Sequence, residues 1–158
     1  MASRSRISVT RPSITSDPVT PGRVAVGLGL EKIRLTGGEP LLRHGVEGLV
    51  GRGAASPGVA DLAMTTNGFL FQGKARALRQ AGLRRLSFSL DSLDAANFKK
   101  ITGRDGLAEV LGSLRLAQEL GFHPVKVNAV VIRGINDHEL EALAEFALQF
   151  LGTIMVQD

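Results

Sequence analysis

The chain has 158 residues, 44% hydrophobic and 22% charged, with a net charge of +4 and an isoelectric point near 10.1. It contains no cysteine, which excludes disulfides, thiolate metal sites and cysteine nucleophiles, and its histidines, His44, His123 and His138, stand at no metal-ligand spacing and read as surface or loop residues. No apolar run reaches the roughly 20 residues that cross a bilayer; the basic balance favours an anionic partner, and the absence of Tyr and Trp points away from nucleic acid and toward a small phosphorylated ligand.

Residues 1–23, "MASRSRISVTRPSITSDPVTPGR", are rich in Arg, Ser, Thr and Pro and carry one acidic residue. This composition reads either as a disordered tail or as an organelle transit sequence. Within it, "RISVT" is β-branched at alternate positions and predicts a short strand. The expected division is therefore an irregular segment 1–23 with one possible strand, then an α/β domain over 24–158. Residues 11–30, rich in Pro, Gly, Ser and Thr, are expected to be mobile.

From residue 31 a rhythm sets in. "EKIRLTGG" (31–38), "DLAMTTNG" (61–68), "RLSFSLDS" (85–92) and "PVKVNAVVIRG" (124–134) are strand-like, and a weaker "TIMVQD" (153–158) is a doubtful sixth strand. Segments of helical period lie between them. Ala75, Leu78 and Ala81 mark a short helix stopped by Gly82. Leu107, Val110, Leu111, Leu114, Ala117 and Leu120 mark a longer one stopped by Gly121. Leu140, Leu143, Ala144, Ala147 and Leu151 form a third stripe; Asn136 followed by Glu139 predicts a capping box at its start. Alternating strands and helices imply a parallel sheet. About six strands fall short of an eightfold barrel, which takes about 250 residues, and leave a partial open barrel or a doubly wound sheet.

In parallel α/β folds ligands bind at the C-terminal ends of the strands. Those ends here carry Thr36, Gly37, Gly38 and Glu39; Thr65, Thr66, Asn67 and Gly68; and Ser89, Asp91 and Ser92, while the fourth strand carries Lys126 and Asn128 within an apolar run. Each group has a purely structural reading. The glycine pair permits a tight turn before Pro40, Asn67-Gly68 is a common turn pair, and Ser89 to Ser92 can cap the next helix. Lys126 is harder to explain that way, because a lysine in a strand buried on both faces loses hydration and needs a partner, unless it snorkels at a barrel rim. Taken together, a glycine pair for close backbone approach, hydroxyls for ribose and a lysine for phosphate read as a site for a zwitterion plus a nucleotide.

"KIRLTGGEPLLR", "TTNG", "SLDSLDAANFKKITGRDG" and "PVKVNAVVIRGINDHE" resemble, in order and nearly without gaps over most of residues 24–148, the radical S-adenosylmethionine enzymes, and among them the GTP 3′,8-cyclases of molybdenum-cofactor biosynthesis. "RISVT" is similar to that family's first strand. The resemblance implies a partial (βα)6 TIM-like barrel, incomplete in its first-helix region and its C-terminal part. It implies that Gly38 and Ser89 contact S-adenosylmethionine, and that Arg6, Arg34, Thr65 and Lys126 bind GTP. No residue is assigned a catalytic or metal-binding role.

In that family an iron–sulfur cluster reduces S-adenosylmethionine to a 5′-deoxyadenosyl radical. The radical takes a ribose hydrogen from GTP, and the sugar carbon then bonds to the guanine ring, giving 3′,8-cyclo-GTP. The family places three cysteines just after its first strand to hold the cluster. Here "RPSITSDPVTPGR" follows "RISVT", and the chain is free of cysteine. The cluster is therefore expected to be absent and the chain inactive as it stands. The first reading is a cyclase by descent whose gene is truncated or wrongly assembled; a non-catalytic remnant that binds the nucleotide or S-adenosylmethionine is the alternative, and a remnant without a stable fold is a third reading. GTP is the expected small-molecule partner, with no nucleic acid and no membrane and the oligomeric state open. The expected location is the cytoplasm, with organellar import as the alternative.

Overall fold

In the four most clearly signalled strands apolar residues alternate with mostly polar ones, and this alternation builds the fold. The computed structural model describes Ile7–Val9, Gly29, residues 31–150 and Ile154–Gln157. Arg6 and, apart from Gly29, the segment 11–30 lie outside the described residues, and with them the expectations about GTP binding at Arg6 and about mobility. Six strands, β1 (Ile7–Val9), β2 (Lys32–Leu35), β3 (Asp61–Thr66), β4 (Arg85–Ser89), β5 (Val125–Val130) and β6 (Ile154–Gln157), pair in parallel in the order β1-β2-β3-β4-β5-β6. A doubly wound sheet reverses its strand order at a switch point; a purely sequential order is that of a barrel. The fold is thus a partial TIM-like barrel, and the doubly wound alternative is excluded.

The sixth strand, doubtful in the sequence, is present: Val127 faces Ile154 and Val130 faces Gln157. Its ladder is supplied by β5, a long-range pairing that a four-residue pattern does not announce. At the other edge "RISVT" contributes Ile7–Val9, paired with Ile33–Leu35.

Five helices follow the strands among the described residues: α1 (Val46–Ala54), α2 (Phe71–Gln80), α3 (Ala95–Thr102), α4 (Leu107–Glu119) and α5 (Leu140–Phe150). The predicted stops Gly82 and Gly121 have φ of 101° and 73°, left-handed values that glycine adopts without steric cost. One face of the sheet, with Leu62, Met64, Leu86, Phe88, Val125 and Val127, joins Val46, Val50, Phe71, Leu78, Val110 and Leu114 of the helices in a continuous core. Phe71 anchors it, edge-on to Phe88 at 5.2 Å and to Phe122 at 5.6 Å. A side chain of this size, fully buried, stabilises the fold by about 1.5–3 kcal/mol.

The capping box at the start of α5 does not form. A 3-10 turn, Asp137–Glu139, precedes the helix, and Asn136 makes no side-chain capping bond. Its amide instead donates to the carbonyls of Asp91 (2.6 Å) and Val130 (2.8 Å) and accepts from the N–H of Ile132 (2.6 Å). Glu139 turns away from the helix start and accepts from Ser92 Oγ (2.8 Å), the N–H groups of Leu93 (2.8 Å) and Asp94 (3.1 Å), and Asn97 Nδ2 (2.8 Å). A buried carboxylate is better satisfied by several donors than by one cap N–H. Burial pushes the Glu139 carboxyl up, but the bonds from Asn97, Ser92, Leu93 and Asp94 outweigh it, and the net shift is below the ordinary value. Together the two residues fasten the loops after β4 and β5 to one another.

Candidate functional site

Apart from Thr66, which shares a face of β3 with Leu62 and Met64, the polar members of β2, β3, β4 and β5 fall on the face opposite the core. Strand register sorts them into rows. Arg34, Ala63 and Arg85 lie side by side on β2, β3 and β4. Thr65, Ser87 and Lys126 form the next row on β3, β4 and β5, and Ser89 and Asn128 the row at the C-terminal rim. Successive rows are about 6.6 Å apart along the strands.

The rows are tied together by Arg34. Its Nη1 donates to Thr65 Oγ1 at 3.0 Å and to Ser87 Oγ at 2.9 Å. Arg34, Arg85 and Lys126 line a narrow polar cleft with Ala63, Leu86, Ser87 and Pro124. The structure therefore brings together three of the expected GTP ligands, Arg34, Thr65 and Lys126. It also corrects the environment of Lys126. The lysine is half-buried, on the polar face of β5, while Val125, Val127 and Ala129 fill the apolar face. Only one side of the strand is apolar, because residues from β2, β3 and β4 make the other side hydrophilic.

At the rim, Ser89 ends β4 opposite Asn128. The Asn128 Oδ1 is buried without a hydrogen-bond partner. Buried carbonyl oxygens are nearly always paired, so this one marks a place where the polar face is unfinished without a ligand or water. Gly38 stands apart, on the exposed loop after β2. A Cβ built there meets nothing within 4 Å, and its neighbour Gly37 has φ of 145°, which side chains rarely adopt. The backbone at this loop is open to close approach.

Other strand-end residues have structural roles. Glu39 accepts from Leu41 N (3.0 Å), Thr66 Oγ1 (2.8 Å) and Asn67 N (2.7 Å), so the Glu after the glycine pair holds the end of β3. Asn67 accepts from Phe69 N at 3.2 Å, the expected turn. Asp91 holds the N–H of Val130 at 2.8 Å. The cap of α3 is Asp94, not Ser89 or Ser92. Sequence reasoning missed Ala63, Arg85 and Ser87, since it searched where strands stop; the signal was the two-residue alternation within them.

The matched family model is the radical SAM superfamily, over residues 22–147. The chain belongs to the radical S-adenosylmethionine superfamily. Among its curated relatives, the GTP 3′,8-cyclase of Syntrophomonas wolfei is 50% identical over 128 residues, covering 81% of this chain and 39% of the relative. That of Gloeobacter violaceus is 47% identical over 127 residues, covering 80% and 39%. The chain thus spans about two fifths of the length of these relatives. Methylornithine synthase has the same fold, with a TM-score of 0.73 at 18% identity over 95% of this chain and 45% of that one. So does SuiB of Streptococcus suis, with a TM-score of 0.71 at 19% identity over 85% and 31%.

Radical SAM proteins use S-adenosylmethionine and an iron–sulfur cluster. The open loop at Gly38 and the unpaired Asn128 carbonyl beside Ser89 fit the first of these. The second does not fit the donor set. Iron–sulfur clusters are held by cysteine thiolates, and the chain has none. Among the described residues no group of three His, Asp or Glu side chains could hold a metal ion.

Proposed function

We propose that this radical SAM chain is the nucleotide-receiving part of a GTP 3′,8-cyclase fold. It binds GTP through Arg34, Thr65 and Lys126 on the polar face of the sheet, and S-adenosylmethionine at the rim through Gly38 and Ser89. The observation that carries the reading is the Arg34 bonding to Thr65 and Ser87 in the cleft that Lys126 also lines, in a chain 50% identical to that enzyme over 128 residues.

What these residues do is bind and orient. The guanidinium and ammonium attract phosphate oxygens through charge-assisted bonds; the hydroxyls of Thr65 and Ser87 hold the guanidinium in place. Bound S-adenosylmethionine would supply a 5′-deoxyadenosyl group near the nucleotide. Its reductive cleavage needs a cluster that this chain has no thiolate to hold, so this chain by itself binds the nucleotide without transforming it. A cytoplasmic location goes with this reading.

Isothermal titration of the purified chain with GTP tests it. Saturable binding, weaker for guanosine, is expected. No binding at millimolar GTP overturns it.

A further inference from the structure

The ion pair between Arg85 and Asp61 is not needed to build the core, since both side chains sit on the polar face at the N-terminal foot of the sheet. Arg85 is in one row with Arg34, and only Ala63 separates them. Adjacent strands are about 4.8 Å apart, so the two arginine backbones are about 10 Å apart. Ala63, the smallest chiral side chain, puts no large group between the two arginines, and all three residues line the same cleft. Lys126 has no carboxylate within ion-pair distance among the described residues, and Asp61 is the acid that meets this cleft through Arg85. Lys32 lies beside Asp61 in register and adds positive charge below. The rim at Ser89 is two rows, about 13 Å, above Arg85, a distance that no single phosphate bridges.

We propose that Arg85 is a phosphate-binding residue at the foot of the cleft, held ready by Asp61, and that it makes this face select nucleoside triphosphates over monophosphates. This rests on the proposed GTP reading and deepens it. The inner cations, Lys126 and Arg34, meet the phosphates nearer the sugar; Arg85 meets the outermost one. Asp61 fixes the Arg85 guanidinium but also opposes the anion, so the two halves of this ion pair act on binding with opposite sign.

Titration calorimetry with GTP and GMP on the wild-type chain, Arg85→Met and Asp61→Asn tests this, with a thermal melt of each. The wild type is expected to prefer GTP. Arg85→Met is expected to reduce that preference about tenfold, one charge-assisted contact, with GMP binding little changed. Asp61→Asn removes the opposing charge but keeps a side chain of the same shape, and is expected to raise GTP affinity severalfold at low salt even if the melt falls. A purely structural ion pair moves both variants the same way: GTP and GMP weaken together, in step with the melt. An unchanged GTP-to-GMP ratio in Arg85→Met, or loss of GTP affinity in Asp61→Asn, overturns the role of Arg85 while GTP binding by the wild type stands. Absence of GTP binding by the wild type overturns both this inference and the reading beneath it.

Discussion

Glu39 accepts a hydrogen bond from the hydroxyl of Thr66 at 2.8 Å, joining the loop after β2 to the end of β3. The same carboxylate holds the N–H of Asn67 at 2.7 Å and that of Leu41 at 3.0 Å. The acid of the glycine-glycine-glutamate-proline stretch therefore ties the loop that carries Gly38 to the end of the strand that carries Thr65. Replacing Glu39 by Ala leaves those donors without their charged acceptor and is expected to cost about 2 kcal/mol. Glu39→Gln, which keeps one oxygen, should cost less. Chemical denaturation measures both; a loss under about 0.5 kcal/mol for Glu39→Ala would show that water replaces the carboxylate without penalty.

Glu139 predicts a dependence on pH. Its carboxyl lies below the ordinary value of 4.5: burial raises it, but the bonds from Asn97, Ser92, Leu93 and Asp94 together lower it by more. A carboxyl whose folded pKa is depressed stabilises the fold above its unfolded pKa, and the contribution is lost as pH falls through the folded pKa. The wild type should therefore be more stable than Glu139→Gln at neutral pH, with the gap closing below about pH 4.5. Urea midpoints measured from pH 7 to pH 3 test this. A gap that is constant over that range contradicts the assigned role.

Metal chemistry gives a third expectation. Anaerobic reconstitution with iron and sulfide should leave no stoichiometric, chelator-resistant cluster, because the remaining Asp, Glu and His ligands suit harder ions than an iron–sulfur core. Iron counting and visible absorption check this. A stable charge-transfer band would mean that non-cysteine ligands hold a cluster after all, and 5′-deoxyadenosine formation above background would carry the same message.

The strands and two of the helix stops were legible locally. "KIRL", "RLSFS" and "VKVN" alternate by two, and Gly82 and Gly121 close their helices as expected. The fate of Asn136 and Glu139 was not legible. A capping box and a clamp between loops share the same local spacing, and the clamp prevails because Ser92 and Asn97, 47 and 42 residues away from Glu139, are brought to it. The environment of Lys126 failed for a similar reason. Its own strand is mostly apolar, and the polar face exists because Arg34, Thr65 and Ser87 line up on neighbouring strands. Where a residue's role was set within a few positions, the sequence displayed it; where it was set across strands, register was needed.

The central claim is that the polar face binds the phosphates of GTP, and Lys126→Met tests it most directly. The substitution keeps the stem and removes the charge. GTP titration by isothermal calorimetry at two salt concentrations, with a thermal melt of each protein, is the measurement. Loss of one charge-assisted contact should weaken binding by about tenfold to a hundredfold, more at low salt than at high salt because screening shrinks the lost attraction, with the melt barely moved. Unchanged GTP affinity accompanied by a shifted melt would contradict the account and leave Lys126 a packing residue.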